Sequence, residues 1–356
     1  MLFRSQPFRR LVRKAASMLR GLRQPVEGLP GFTVFTPFLL PFYGNDRLRA
    51  VNARLVRAQV QRRMQKLGMQ QPHVVVTVPT AWDVAKDLER SSLVYNRSDK
   101  HSAFPEAATG VIARCERQLF AHADRVLYSS NALMDFEAGR CGERARLLDH
   151  GVDLAHFRPR PQTHALMRLG ARRPILGFFG GLDDYVVDFD LLERIAVERP
   201  HCTLVLIGDA TLSIERLTRH PNVLHLGFRA YRDIPDLGAD FDVALMPWLD
   251  NAWIRSCNPI KLKEYLALGL EVVTTWFPEI ERYRDHVHVA RSQDAFLRQI
   301  DSVLQGRRAS GDRRRLLAQS SWDQRARDLL EIRSEEHTSE LQSHSDLVCR
   351  LLLEKK

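Results

Sequence analysis

Residues 258–275 read NPIKLKEYLALGLEVVTT. An Asn-Pro turn leads into a short amphipathic helix, Ile260 to Leu268. Gly269 ends that helix, and the β-branched run Val272–Thr275 follows as a buried strand. Lys261 and Glu264 stand three apart, so they share one helix face near its N-terminus. That end carries unpaired N–H groups and a partial positive charge, which suits a phosphate. Glu264 beside it suits acceptance of hydrogen bonds from sugar or ribose hydroxyls. The same residues also fit an ordinary βαβ unit with a surface Lys and Glu, and this segment alone leaves both readings open.

Working outward, Pro174–Gly181, PILGFFGG, reads as a buried strand running into a Gly-Gly turn. A helix is expected over Asp190–Glu198 and strands over Cys202–Ile207, Val223–Gly227 and Val243–Met246, the last ending at Pro247-Trp248. Ala295–Leu304 and Trp322–Leu330 read as closing helices. Upstream, Phe32–Thr36 reads as a strand, Leu48–Leu67 as a long helix, and HVVVTV at 73–78 as a strand buried on both faces. Leu93–Tyr95 and Arg125–Ser130 are further strands, with a helix over Val111–Ala123 between them. Ser130 is placed to cap a helix starting near Asn131. Strands and helices alternating at this spacing predict doubly wound α/β domains.

The order Gly180-Gly181, Leu226-Gly227-Phe228, Met246-Pro247-Trp248, Asn258-Pro259-x-Lys261-x-x-Glu264 resembles the donor side of GT-B glycosyltransferases, in particular the large family 4 group. That group ends its donor helix with E-A-x-A-x-G before a P-V-V strand; the frame here is Glu264-Tyr265-Leu266-Ala267-Leu268-Gly269. RLLDHGVDLAHFRP at 146–159 is similar to the family's N-G-V-D-x-x-x-F-x-P junction, with His150 in place of the usual Asn. The resemblance runs from about Pro25 to Ile332. It implies two Rossmann-like domains facing a cleft: an acceptor-side domain over 1–160 and a nucleotide-sugar domain over 161–332. The family normally opens on a strand, a Gly-rich turn and a helix. MLFRSQPFRRLVRKAASMLRGLR at 1–23 has no such strand, so the first β-α unit is expected to be missing.

The resemblance also implies a chemistry. A nucleotide-diphosphate sugar loses its nucleoside diphosphate through an oxocarbenium-like transition state, and without a metal the growing phosphate charge needs Lys, Arg and helix N-termini. Lys261 and Arg255 are the candidates, with Gly180 and Gly181 allowing close backbone approach. Gly227, Phe228, Tyr231 and Glu264 would line the nucleoside, Phe228 or Tyr231 stacking on the base or serving as rim aromatics. Pro247, Asn258 and Pro259 shape the loops beneath the diphosphate. For the acceptor, Asp99 and His101, in the loop after the Leu93–Tyr95 strand, are the expected base and proton relay; an Asx-turn with an exposed His is the plain alternative. Three departures matter. Ser256 stands where many members have a first Glu, no cation follows the Gly-Gly turn, and Asn96 replaces the first acid of a Y-D-x-x-D pattern. The first two place the chain with a divergent branch that has F-G-x-x-D at the turn and tends to sit with polysaccharide or lipopolysaccharide assembly; the third departs from that branch too.

The expected function is therefore hexosyl transfer from a nucleotide-diphosphate sugar to a glycan or lipid-linked acceptor, metal-independent and retaining, with no cofactor beyond the co-substrate. A non-catalytic nucleotide-sugar-binding relative, an inactive fragment and a nucleotide-sugar epimerase of the same fold are the alternatives. Asp188-Phe189-Asp190 and Asp240-Phe241-Asp242 invite a metal reading, but the first opens a helix, where acids cap, and the second opens a buried strand.

Composition fits this picture. A chain of 356 residues with 44% hydrophobic and 27% charged residues holds two cores of ordinary size. Its formal charge of +10 suggests an anionic partner. No helix-turn-helix, zinc or aromatic-basic module points to nucleic acid. No apolar run reaches transmembrane length. The scattered cysteines suit a reducing, bacterial-type cytoplasm. The first 23 residues carry seven Arg/Lys and no acid, with apolar residues at helical spacing. They read as a basic amphipathic helix, attached to an anionic inner-membrane face or packed within the first domain. The last 24 residues, RSEEHTSELQSHSDLVCRLLLEKK at 333–356, resemble no protein segment but the translation of a short-read sequencing adapter, and are set aside as non-native.

Overall fold

The computed structural model describes residues 32–40, 46–103, 109–334 and 348–351. The basic helix expected over 1–23 lies outside them. The elements in chain order are α1 (Asp46–Lys66), β1 (His73–Val76), α2 (Trp82–Ala85), β2 (Ser92–Arg97), α3 (Thr109–His122), β3 (Arg125–Tyr128), α4 (Asn131–Glu137), β4 (Ala145–Leu147) and α5 (Ala165–Arg168). There follow β5 (Ile175–Phe179), α6 (Phe189–Glu198), β6 (Thr203–Ile207), α7 (Glu215–Thr218), β7 (Val223–His225), α8 (Ile234–Gly238), β8 (Val243–Met246) and α9 (Ile260–Ala267). The chain closes with β9 (Val272–Thr275), β10 (His288–Ala290), α10 (Gln293–Leu304), α11 (Arg313–Ala318), α12 (Trp322–Ser334) and β11 (Val348–Leu351).

The chain divides into two compact units. The first runs to Arg97 and takes in Glu106–Val126 and the chain from Gln342. Here α1 buries Asn52, Val56, Val60 and Met64, one residue per turn, the last three clustering with Val84 and Leu88. Phe32–Thr36 was expected to be a strand and is not: it is irregular apart from a single bridge at Thr33. Its continuation is held by side chains instead. Gln59 accepts from the Phe38 N–H at 2.9 Å and Asn52 from the Leu40 N–H at 2.7 Å, each donating back to the same residue's carbonyl. Amide side chains on α1 thus do the pairing that a neighbouring strand would otherwise do. β1 and β2 are parallel in the register His73↔Ser92 to Val76↔Tyr95. At the end of β2, Arg97 is buried and paired with Glu116 at 2.6 Å.

Along the other edge of β1 lies β11, parallel, from His73↔Val348 to Val76↔Leu351. The tail set aside on sequence grounds therefore supplies a strand. Within this unit the strand order is β11-β1-β2.

The second unit holds Ser98–Pro105 and Leu127–Leu341. Its six-stranded sheet is paired in parallel, in the order β10-β9-β8-β5-β6-β7. In chain order that is the doubly wound arrangement 3-2-1-4-5-6, with the switch point between β5 and β8, where such sheets bind ligands at their carboxyl ends. β5, β6 and β8 are buried throughout, as their unbroken apolar runs require. Both Asp-x-Asp triplets have structural duties. Asp188 caps α6 through the Leu191 N–H at 2.8 Å. Asp240 is fully buried and accepts from the backbone N–H groups of Thr163, His164 and Leu166, each at 2.9 Å, capping α5. Asp242 pairs with Arg173 and accepts the Ile175 N–H at 2.6 Å.

Candidate functional site

The site grows from the carboxyl end of β5. Gly180 has φ +136°, and a Cβ there would fall 2.1 Å from Lys261 Nζ. That positive φ is what favours glycine here, and the lysine head lies against its backbone. The Gly208 turn packs on it from β6: its φ is +141°, and a Cβ would meet the Gly180 carbonyl oxygen at 1.9 Å. Gly208→Ala is therefore expected to cost about 1–3 kcal/mol, read from the urea midpoint, by pushing the Gly180 turn out of place.

Lys261 lies in the first turn of α9, whose N-cap, Pro259, offers no side-chain cap. Its ammonium stands 4.1 Å from the centroid of the Phe178 ring and enters no ion pair among the described residues. Burial lowers its pKa to about 8, with Glu264, Cys257 and Asp183 pulling the other way. Glu264, one turn on, has its pKa raised to about 7 by burial, offset in part by Lys261. Each charge is under-compensated by the other. A cation held this way, beside glycine backbone and an open helix N-terminus, is suited to an anion.

Lys263 has the opposite surroundings. It is fully buried, 2.6 Å from Asp149, and donates to the His150 carbonyl. Asn258 donates to Asp149 at 2.7 Å and to the Ser129 carbonyl at 2.8 Å. Arg282 approaches Asp149 at 3.4 Å. Burial, then Lys263, lowers the His150 pKa to about 4 and keeps it neutral. Nearby, Glu279 accepts from Ser130 Oγ and Asn131 Nδ2, both at 3.2 Å, and from the Ala132 N–H at 3.1 Å. Ser130 caps α4 as its sequence suggested, accepting the Leu133 N–H at 3.2 Å.

The structure gathers Gly180, Gly181, Lys261 and Glu264 around one spot. Asp99 is close enough to Cys257 to raise its thiol pKa, against Lys261, which lowers it, so Asp99 belongs to the same neighbourhood. His101 is buried in the short 3-10 turn His101–Ala103, its N–H donated to the Asp99 carbonyl at 2.9 Å. Gly227 has φ +64°, and its carbonyl accepts the Gly208 N–H at 2.9 Å. Phe228 beside it is 68% exposed. Tyr231 is also exposed but stacks on His156, centroids 4.4 Å apart, and its carbonyl faces His156 Nε2 at 2.9 Å. One face of the Tyr231 ring is thus taken, and Phe228 is left as the more open aromatic. Pro247 is buried, its carbonyl accepting the Asp188 N–H at 2.8 Å. Two expected residues point elsewhere. Asn258 turns inward to Asp149, and Arg255 is exposed and forked on Asp250 at 2.6 and 2.8 Å.

Sequence reasoning passed over Asp183, whose carboxylate oxygen lies 2.7 Å from where a Gly181 Cβ would be. The F-G-x-x-D spacing, Phe179 to Asp183, was the available signal. It also passed over Phe178, which forms the apolar seat of Lys261.

Residues 173–306 match the family of glycosyl transferases group 1. TuaH of Bacillus subtilis (strain 168), named as a teichuronic acid biosynthesis glycosyltransferase, is 29% identical over 195 residues, 52% of this chain and 48% of that protein. The chain thus spans about half the length of the curated relative it matches. Among solved structures, Anabaena HepE in complex with UDP and glucose superposes with a TM-score of 0.65 at 17% identity, over 83% of this chain and 84% of HepE. Sucrose-phosphate synthase from Thermosynechococcus elongatus gives 0.70 at 16% identity, over 93% of both chains. The match to glycosyl transferases group 1 lies within the second unit, and the likeness to these solved structures shows the GT-B fold.

Proposed function

We propose that the protein transfers a sugar from a nucleotide-diphosphate sugar to a glycan or lipid-linked acceptor in cell-surface polysaccharide synthesis, without a metal and with retention. The observation that carries the reading is Lys261, a half-buried ammonium on glycine backbone at a helix N-terminus with no ion-pair partner among the described residues. The name of TuaH supports the pathway class, and the UDP complexes of HepE make UDP the first nucleotide to try. In this reading the anomeric C–O bond breaks with its electron pair leaving on the diphosphate. Lys261 and the first N–H groups of α9 offset that charge. Phe228 stacks on the base and Glu264 accepts from donor hydroxyls. The acceptor oxygen bonds to the anomeric carbon on the same face that the diphosphate leaves, and its proton passes to Asp99, with His101 behind it. Retention follows from the family resemblance.

The direct test is binding of UDP, GDP, ADP and TDP to the protein beside Lys261→Ala and Glu264→Ala, followed by turnover with the sugar form of whichever binds. Saturable binding lost in both variants is expected; no binding by folded protein overturns the reading. Affinity is also expected to follow pH in a bell. It rises as Glu264 ionises through about 7 and falls as Lys261 deprotonates through about 8. Titration calorimetry between about pH 6 and 10 reads both limbs, and Lys261→Arg, always protonated, should abolish the alkaline one.

A second reading, nucleotide-sugar binding without transfer, is favoured by Ser256. It stands where many relatives carry an acid and spends its hydroxyl on the Ala252 carbonyl at 3.2 Å. Tight binding without turnover on any acceptor would select it. No helix among the described residues is long and apolar enough to cross a membrane. Work at the inner membrane face through residues 1–23 is part of the proposal and is tested by flotation with anionic vesicles.

A further inference from the structure

The two strands that flank the switch point do not stay paired to their ends. β5 and β8 are in register at Leu176↔Val243 and Gly177↔Ala244, and there the ladder stops. In a parallel ladder the next bond would run from the Phe179 N–H to the Leu245 carbonyl. A phenol oxygen stands between them. Tyr265 Oη accepts the Phe179 N–H at 3.0 Å and donates, at 3.5 Å, to the Leu245 carbonyl. The side chain comes from α9, is fully buried, and packs its ring on Phe179 with centroids 4.4 Å apart. Burial pushes its pKa upward, so the hydroxyl keeps the proton it donates. Tyr265 follows Glu264 directly and lies one turn after Lys261, while Phe179 directly precedes Gly180. One oxygen therefore ties the helix that carries the cation to the strand end that carries the glycine turn.

We propose that Tyr265 is a positioning residue for the diphosphate seat: its hydroxyl, inserted into the β5–β8 ladder, keeps the strand ends apart at the switch point and fixes the Gly180–Gly181 turn against Lys261. The assignment rests on the donor-site reading above. Without the hydroxyl, the Phe179 N–H and Leu245 carbonyl are left to close on each other or to take up water. Either outcome moves the turn relative to the ammonium. The aromatic packing of a phenylalanine would be unaffected, so the two roles separate.

The test uses Tyr265→Phe in the whole chain, alone and combined with Lys261→Met, with UDP as probe and amide hydrogen exchange at Phe179 as an independent readout. Tyr265→Phe is expected to weaken UDP binding about tenfold, the scale of one hydrogen bond's contribution. In the Lys261→Met background it should change affinity less than about twofold, because the tyrosine acts through the lysine. Exchange at Phe179 should change in the single variant. Equal effects in both backgrounds, or a lowered melting temperature with unchanged UDP affinity, overturn the assignment and leave Tyr265 a packing residue. Unchanged exchange at Phe179 overturns the wedge whether or not UDP binds. If the wild-type protein binds none of the four nucleotides while Phe179 exchange does respond, the donor-site reading fails and the wedge stands as a feature of the sheet alone.

Discussion

Lys263→Met is expected to destabilise the protein by about 3–5 kcal/mol, measured by chemical denaturation. Lys263 lies in α9 with no side-chain exposure, and its partner Asp149 is 3% exposed. Methionine fills a similar volume but leaves the Asp149 carboxylate in the interior with the Asn258 amide at 2.7 Å and Arg282 at 3.4 Å as its remaining donors. An uncompensated buried charge is the costly half of breaking such a pair. The same cluster anchors the Asn258 turn that starts α9, so the helix entry should loosen with it. A loss below about 1 kcal/mol would mean that Arg282 takes over, and would remove the cluster as the anchor of the helix.

Lys261→Met, two residues earlier, is expected to give the reverse pattern. Its ammonium rests on an aromatic face and a glycine, desolvated without an ion pair among the described residues. The sign of its linkage follows from the direction of the shift. The folded pKa is lowered to about 8 from 10.5, so its charge opposes folding in full below about pH 8. That opposition is relieved as pH rises from about 8 toward the unfolded value. Removing the charge at neutral pH should leave stability unchanged or raise it. Nucleotide affinity should instead fall about 30- to 100-fold, the scale of a charge-assisted contact with phosphate. Calorimetry with UDP and a denaturation curve on the same sample read both. A variant that loses stability and keeps affinity would show Lys261 to be structural, and with it the donor site would fall.

These two lysines mark how far the sequence could be read. The βαβ unit around 258–275 was legible because Gly269 stops the helix and Val272–Thr275 can only be a buried strand. The Gly-Gly turn and Lys261 followed from it. Asp188, Asp240 and Ser130 read as structural or capping residues because their positions at element starts carry that meaning. Spacing two apart puts Lys261 and Lys263 on different faces of one helix. It did not say that one faces a glycine turn and the other Asp149, which lies 114 positions upstream in the chain. The inward turn of Asn258 depends on that same long-range partner. So does the stacking of Tyr231 on His156, 75 positions away. Tyr265 entered only as the residue after Glu264 in the donor-helix frame, since nothing local shows that a ladder bond is missing where its hydroxyl ends. Phe32–Thr36 has the composition of a strand, yet Gln59 and Asn52 of α1 take the backbone groups of the segment that follows it.

The strand Val348–Leu351 completes the sheet although its residues resemble no protein's. A parallel edge asks of its neighbour only amides and carbonyls at the right repeat, and any extended peptide carries those. The free margin of β1 is thus indifferent to sequence and behaves as a template. Among the described residues no other segment pairs with that margin, so a chain shortened after Ile332 would bare it there. Such a protein is expected to self-associate edge to edge in proportion to its concentration, and to be quieted by a short peptide offered in trans.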